Sequence, residues 1–170
     1  VVFQYYSHIY IDTFDSVSKV AVVNNPQVST TALVSSEYND TNPIVEESLT
    51  PNNFIIVWYD NYFIANHQNK VYIREMNGAN GSFVTAEIML ELLPNYYNIG
   101  RPKIFKNKNT YDLFVIRIDL ATAPNYTVYR YHYILSASLS ILEKTIHNYQ
   151  EEFQFDVLEH IGNPISIIQL

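Results

Sequence analysis

Hydrophobic positions along the chain fall into short runs of about five to eight residues, separated by Asn, Asp, Pro and Gly. The runs are rich in Val, Ile, Tyr, Phe and Thr, which favour strands. Residues 71–74 and 129–133 alternate, as half-buried antiparallel strands do. Residues 54–58 are apolar throughout, which is typical of a strand covered on both faces. The pattern predicts an all-β chain.

The runs recur at a fixed spacing. Pro43, Pro102 and Pro164 stand in related surroundings and are 59 and 62 residues apart. Asp60 and Asp119 each end an apolar run and are also 59 residues apart. A fixed period of this length is the signature of repeated structural units.

Each unit is predicted to contain about four strands. In each unit the second strand ends in Asp. The third strand lies at 70–74 in one unit and at 127–131 in the other, and a turn follows it at 77–82 or at 136–140. The closing runs are 83–93 and 153–161. Residues 86–93 have helical propensity, but we expect a strand there because 153–158 hold the same place and alternate.

A third unit is predicted to be divided between the two ends of the chain. Residues 6–12 and 19–23 match the second and third runs, and 29–36 take the place of the closing run. The expected organisation is 1–42 as the N-terminal remainder of the split unit, 43–101 and 102–163 as two units, and 164–170 as the first strand of the split unit. The residues that define the repeat are Pro43, Trp58, Asp60, Pro102, Asp119 and Pro164.

Residues 43–82 carry Asn-Phe-Ile-Ile-Val-Trp-Tyr-Asp, Lys-Val-Tyr-Ile-Arg and Asn-Gly-Ala-Asn-Gly in order after a proline. This series resembles blades of secreted β-propeller-like repeat proteins; in 102–142, Arg117 replaces the Trp and the turn lacks Gly. The resemblance implies a secreted or surface protein for display, adhesion or assembly, and supplies no catalytic residue. Three blades are fewer than the usual four to eight, which implies a longer array or an assembly. A β-sandwich completed by a terminal donor strand is the alternative fold.

Composition excludes several classes of function. The net charge of −7, without a Lys/Arg cluster, argues against nucleic-acid binding and against anionic membrane surfaces. The chain has no cysteine, so disulfides and thiol chemistry are excluded. Its apolar runs are far shorter than the roughly 20 residues that span a bilayer, and no membrane insertion is expected.

Side chains capable of catalysis or metal binding show no recognised spacing. The five histidines, His8, His67, His132, His147 and His160, form no metal-ligand pair pattern. Adjacent glutamates at 46–47 and 151–152 point to opposite faces of a strand and cannot share a proton. We interpret Asp12, Asp60 and Asp119 as turn-capping carboxylates rather than Ca²⁺ ligands. No catalytic residue, metal or cofactor is predicted.

Surface chemistry offers two further hypotheses. Tyrosines cluster at 5–6, 96–97 and 129–133; the strand core is favoured for them over a platform for sugars. Sequons for N-linked glycans begin at Asn39, Asn80 and Asn125, all in predicted turns or gaps. Glycosylation there presumes a secretory route.

The split unit predicts assembly. The assembly strand comprises Ile165, Ile167, Ile168, Leu170, Val2 and Phe3. An unpaired strand of this kind is satisfied either within one chain or by strand addition between chains. We therefore expect a non-enzymatic extracellular structural or adhesive protein that forms a homo-oligomer or filament through terminal strands. A carbohydrate- or ligand-binding β module is the alternative.

Overall fold

Strands make up the regular secondary structure of the chain. The computed structural model describes residues 2–5, 8–14, 18, 21–23, 26–28, 38–62, 69–93, 97–99, 102–119, 127–149, 155–160 and 163–169. In these ranges there is no helix, which confirms the all-β prediction. The strands are β1 (Val2–Tyr5), β2 (His8–Ile11), β3 (Thr13–Phe14), β4 (Ala21–Val23), β5 (Tyr38–Glu47), β6 (Asn53–Tyr62), β7 (Asn69–Asn77), β8 (Ile88–Leu93), β9 (Tyr97–Ile99), β10 (Lys103–Asn107), β11 (Thr110–Asp119), β12 (Thr127–Ser136), β13 (Ile141–Tyr149), β14 (Phe155–His160) and β15 (Asn163–Gln169).

Two antiparallel sheets form the centre of the molecule. The first sheet has the order β5-β6-β7-β8. In the second sheet, β9 and β10 both pair with β11, which is followed by β12 and β13. Because β9 pairs with Arg117–Asp119 and β10 with Thr110–Phe114, the two short strands lie end to end along one side of β11. Both sheets are therefore meanders that are four strands wide.

Two prolines lie at matching interruptions of the edge strands. In β5, the register against β6 shifts between Thr41 and Ile44, on either side of Pro43. Pro102 stands between β9 and β10, where one more residue lies on that side than on β11. Proline has no N–H to donate, so within sheets it is confined to such edges and bulges. The expected unit boundary at 42–43 lies inside β5.

The two central sheets pack face to face. Ile55, Val57 and Ile73 of the first sheet meet Tyr111, Leu113 and their neighbours in the second. The buried residues of this core are Ile55, Val57, Tyr59, Val71, Ile73, Leu90, Ile104, Tyr111, Leu113, Val115, Tyr131, Tyr133, Leu135 and Leu139.

A second core lies on the opposite face of the first sheet. Ile9 and Ile11 of β2, together with Val28, cover Ile56, Trp58, Tyr72 and Met76. The first sheet is therefore the middle of three layers. Residues 55–58 are 0 % exposed, which confirms the prediction of a strand covered on both faces.

Two expectations about closing strands have different outcomes. Residues 88–93 form β8, as predicted, despite their helical propensity. The prediction that 153–161 close the second sheet is wrong. Its fourth strand is β13, directly after the short turn at Ser136–Ser140, whereas β14 pairs with β15. The tight turn at 136–140 places residues 141–149 against β12.

The remaining strands are short hairpins. Residues 8–11 and 21–23 form β2 and β4, which pair with β1 and β3. Residues 29–36 lie outside the described ranges. The described strands close neither a barrel nor a propeller, and the three-unit repeat stays a prediction. In the part of the chain that the structure describes, no helix is long and apolar enough to cross a bilayer.

Candidate functional site

A buried polar network lies beneath the turn that joins β5 to β6. The Glu75 carboxylate accepts hydrogen bonds from Ser48 Oγ at 2.6 Å and from Asn53 Nδ2 at 2.8 Å. Ser48, Asn53 and Glu75 are each less than 5 % exposed. Burial of a carboxylate is costly unless hydrogen bonds compensate it, and the two donors supply that compensation.

Tyr111 extends this network into the second sheet. Its hydroxyl oxygen accepts the main-chain N–H of Leu49 and lies 3.2 Å from Ser48 Oγ. Thr50 N also donates to Ser48 Oγ, at 3.0 Å. The network is enclosed and its members bond one another, so its chemistry is structural: it fixes the turn and joins the two sheets.

The second sheet carries a polar pair on its strands β11 and β12. Asp112 Oδ1 lies 3.4 Å from His132 Nε2, and Asp112 Oδ2 accepts a hydrogen bond from Asn107 Nδ2 at 2.7 Å. The His132 ring stacks on Phe114 with a centroid distance of 4.3 Å. Phe114 faces His132 across the strands. His132 is therefore a packed strand residue.

A lysine connects the second sheet to the first at their outer edges. Lys144 Nζ of β13 lies 2.6 Å from Glu91 Oε2 of β8, and the Tyr133 hydroxyl donates to the same oxygen at 2.9 Å. Burial, followed by the adjacent Glu91 charge and this hydrogen bond, raises the pKa of Tyr133 above its ordinary value. The phenol therefore remains a hydrogen-bond donor at neutral pH.

Arg74 attaches the N-terminal layer to the first sheet. Its Nη1 donates to the carbonyl oxygen of Val28 at 2.6 Å, and its guanidinium lies 3.4 Å from the centroid of the Phe83 ring. Burial lowers the pKa of Arg74 from its ordinary value, and the negative charge of Glu87 opposes that change. Arginine remains charged at neutral pH, so the contact is a charge-assisted hydrogen bond.

A candidate site for ligand binding is a cleft of about 420 Å³ between the N-terminal layer and the first sheet. Its lining includes the carboxylates of Asp12, Glu46 and Glu47 and the ring of Phe54; the full lining is Ile11, Asp12, Thr13, Val45, Glu46, Glu47 and Phe54. Glu47 also forms an ion pair with Lys106 at 3.2 Å. The cleft combines hydrogen-bond acceptors with an aromatic surface.

The structure places the predicted repeat residues at strand ends and sheet faces. Trp58 is fully buried and stacks on Tyr72, directly opposite it, at 5.6 Å. Asp60 is buried within β6, which continues to Tyr62, and accepts the main-chain N–H of Lys70 on β7 at 3.0 Å. Asp12 follows β2, and Asp119 is the last residue of β11.

The predicted glycosylation sites have different surroundings. Asn80 lies exposed in the turn after β7, and its side chain accepts the N–H of Ser82 at 2.9 Å. Asn39 lies in β5, opposite Asn61, so its expected place in a turn is wrong: β5 continues on both sides of the Pro43 bulge. Asn125 lies outside the described residues.

The predicted assembly strand is divided between two hairpins. Val2 and Phe3 lie in β1, and Ile165, Ile167 and Ile168 lie in β15. Pro164 is also in β15, and Leu170 lies outside the described residues. In the described residues β15 pairs only with β14, and β1 only with β2.

The other described histidines lie in different strands. His8 lies in β2, 3.3 Å from the side-chain amide of Gln27, His147 in β13 and His160 in β14, while His67 is outside the described ranges. No group of three His, Asp or Glu side chains suited to a metal occurs in the described residues. The described tyrosines 131 and 133 belong to the core, as the sequence favoured.

Neither the Glu75–Tyr111 network nor the Glu91–Lys144 pair was predicted from the sequence. Their members are 36 and 53 residues apart, and only the stacking of the two sheets brings them together. A charged residue in an otherwise apolar strand, such as Glu91 in β8, was the one available signal.

The chain matches no protein-family model, and neither a similar curated protein nor a similar solved structure was found. The resemblance to secreted propeller-like proteins is therefore carried by the sequence motifs alone.

Proposed function

We propose that the chain is a non-enzymatic structural or adhesive protein of the cell surface or extracellular space, whose blade-like units assemble end to end by sharing terminal strands. The observation that carries the proposal is the face-to-face stacking of layers. The first sheet buries one face against the second sheet and the other against β2 and Val28. Units that bury their faces against neighbours depend on those neighbours for stability.

Matching contacts in the two central sheets support a repeat. Trp58 and Arg117 are 59 residues apart in sequence. Each packs against the tyrosine directly opposite: Trp58 on Tyr72, and the Arg117 guanidinium 4.0 Å from the Tyr129 ring centroid. The prolines at the interrupted edge strands supply a second matching feature.

Two hairpins support the sharing of strands. β1–β2 and β14–β15 are two-stranded, whereas the central sheets are four strands wide. An isolated two-stranded sheet is marginally stable in water. Pairing β15 of one copy with the N-terminal strands of the next would widen both sheets, and such a heterologous contact produces a filament when it does not close.

Deletion of residues 165–170 tests the proposal. We expect the full chain to form polymers visible by negative-stain imaging, and the truncated chain to form no polymers while retaining a cooperative urea transition. A synthetic peptide of residues 163–170 should shorten the polymers by occupying the acceptor strand, and a scrambled peptide should not. Polymers that are unchanged by the deletion, or a full chain that never assembles, would contradict the proposal.

The cleft lined by Asp12, Glu46 and Phe54 favours a second candidate function, a carbohydrate- or ligand-binding module. Carboxylates accept hydrogen bonds from hydroxyl groups, and pockets of this volume accommodate small ligands. A glycan array should then show binding that Phe54→Ala and Glu46→Gln abolish. Val84→Ala, at an exposed position outside the cleft, is the control.

A further inference from the structure

β13 is an uncovered edge of the second sheet. It pairs with β12 in regular register from Glu143 to Tyr149, with Leu142 as one extra residue between Ile141 and Glu143, and in the described residues no strand pairs with its other side. Ile141, Leu142 and Ile146 are 43 %, 62 % and 48 % exposed. A long edge strand with exposed apolar side chains and open main-chain groups is a template for pairing with another strand.

The usual protection of such an edge is absent at its centre. A lysine in an edge strand normally discourages pairing. Lys144, however, is held by Glu91 of the first sheet at 2.6 Å, and its ammonium lies 5.4 Å from the Tyr131 ring centroid. The charge is therefore directed to the neighbouring layer and compensated there, which leaves the main-chain edge open.

We propose that β13 pairs antiparallel with β13 of a second copy of this chain, about a twofold axis at Thr145. An axis normal to the sheet keeps each side chain on its own face, so only positions an even number of residues apart can face each other. Centring the axis on Thr145 pairs residues 143–147 with the same five residues of the second copy, all within the part of β13 that keeps a regular register against β12.

The strand is self-complementary in this register. Glu143 faces His147 of the second copy on one side of the sheet, and this pair occurs twice about the axis. Thr145 faces Thr145, and the aliphatic part of Lys144 lies beside Ile146. A carboxylate facing an imidazole can form a hydrogen bond, and paired threonines are favourable across antiparallel strands, whereas centres at Glu143 or Lys144 would place like charges together.

Glu143 and His147 are available for this contact. Both are exposed, and neither forms an ion pair with another residue of the described ranges. The contact is isologous, so it closes at two copies. It is independent of end-to-end assembly through terminal strands, and either contact can form without the other.

Site-specific disulfide formation tests the register. The chain has no cysteine, so one introduced cysteine reports only on its own counterpart. In Thr145→Cys the two Cα atoms would lie about 5 Å apart, within disulfide range. In Leu142→Cys, a control at a more exposed position, the counterparts would be about 20 Å apart. We expect Thr145→Cys to give a covalent dimer on a non-reducing gel and Leu142→Cys to remain monomeric.

Charge exchange tests the side-chain pairing. In the Thr145→Cys background, His147→Glu would face Glu143 of the other copy twice and should slow disulfide formation about tenfold. Glu143→Lys added to His147→Glu should restore the rate, and Val84→Glu, on a different exposed surface, should leave it unchanged. Residue 147 faces Arg130 within its own chain, so His147→Glu preserves the fold; the urea transition verifies this.

Three results would overturn the proposal: no dimer from Thr145→Cys, dimer formation from Leu142→Cys at the same rate, or indifference to His147→Glu. A single cysteine limits the covalent products to dimers. Polymers formed through terminal strands therefore do not change the bands on the non-reducing gel. Failure here leaves the proposed filament intact, and failure of the filament leaves this dimer intact.

Discussion

The hydroxyl oxygen of Tyr111, in the second sheet, accepts the main-chain N–H of Leu49, in a turn of the first sheet. The same oxygen lies 3.2 Å from Ser48 Oγ, whose own partner is Glu75. The turn of one sheet is thus held by a side chain of the next. Stacking and turn formation are therefore parts of one cooperative event.

Tyr111→Phe should lower the free energy of unfolding by about 1–3 kcal/mol, because it leaves the part-buried N–H of Leu49 without its acceptor. Urea denaturation measures the change. Tyr129→Phe, in a half-buried tyrosine of the same sheet, should change stability by less than about 0.5 kcal/mol. Equal effects of the two substitutions would refute the role assigned to the Tyr111 hydroxyl.

Stability should fall more steeply above pH 10 in the native chain than in Tyr133→Phe. Burial and Glu91 raise the pKa of Tyr133 in the folded state above the ordinary value of about 10. The unfolded chain then releases this proton first, so the stabilisation is complete below pH 10 and is lost as the pH rises further. Urea transitions at pH 8, 9, 10 and 11 test this, and parallel curves for the two chains would contradict it.

Gly78→Ala should destabilise the fold by about 1–3 kcal/mol, as overpacking does. A Cβ at this position would lie 2.9 Å from the main-chain oxygen of Asn52 and within 2.3 Å of the Phe54 ring. Gly78 N also donates to that oxygen at 2.8 Å, so the two segments cannot simply separate. Thermal unfolding measures the loss; Ala79→Ser, at the exposed neighbouring position, should behave like the native chain.

Asn80 should carry an N-linked glycan when the chain is secreted from a eukaryotic cell. It lies in an exposed turn, where an acceptor is accessible. Asn39 should be modified less, because it lies within a paired strand. Mass spectrometry before and after enzymatic deglycosylation, with Asn80→Gln as the control, tests the order; greater occupancy at Asn39 would reverse it.

The sequence predicted what depends on local pattern. Residues 54–58 lack alternation because both faces of β6 are buried, and residues 88–93 form a strand because pairing with β7 outweighs helical propensity.

What the sequence did not predict depends on which segments meet. β13 was missed because residues 153–158 alternate and are therefore predicted to be the closing strand, whereas a short turn of serines brings residues 141–149 directly beside β12. Glu75 and Tyr111 are joined through Ser48 only because the two sheets stack on each other. The pattern of residues within one strand does not specify which residues of the facing sheet lie against it.

The apolar interior of β6 has a consequence for how its alignment is maintained. A strand with one polar face resists sliding, because a slip exposes its apolar side chains; residues 55–58 lack that safeguard. The safeguard lies at the two ends instead, where Asn53 is bonded to Glu75 and Asp60 to the N–H of Lys70. These two polar residues fix the register of β6 against β7. We therefore expect evolution to exchange the apolar residues between them freely and to preserve the distance that separates them.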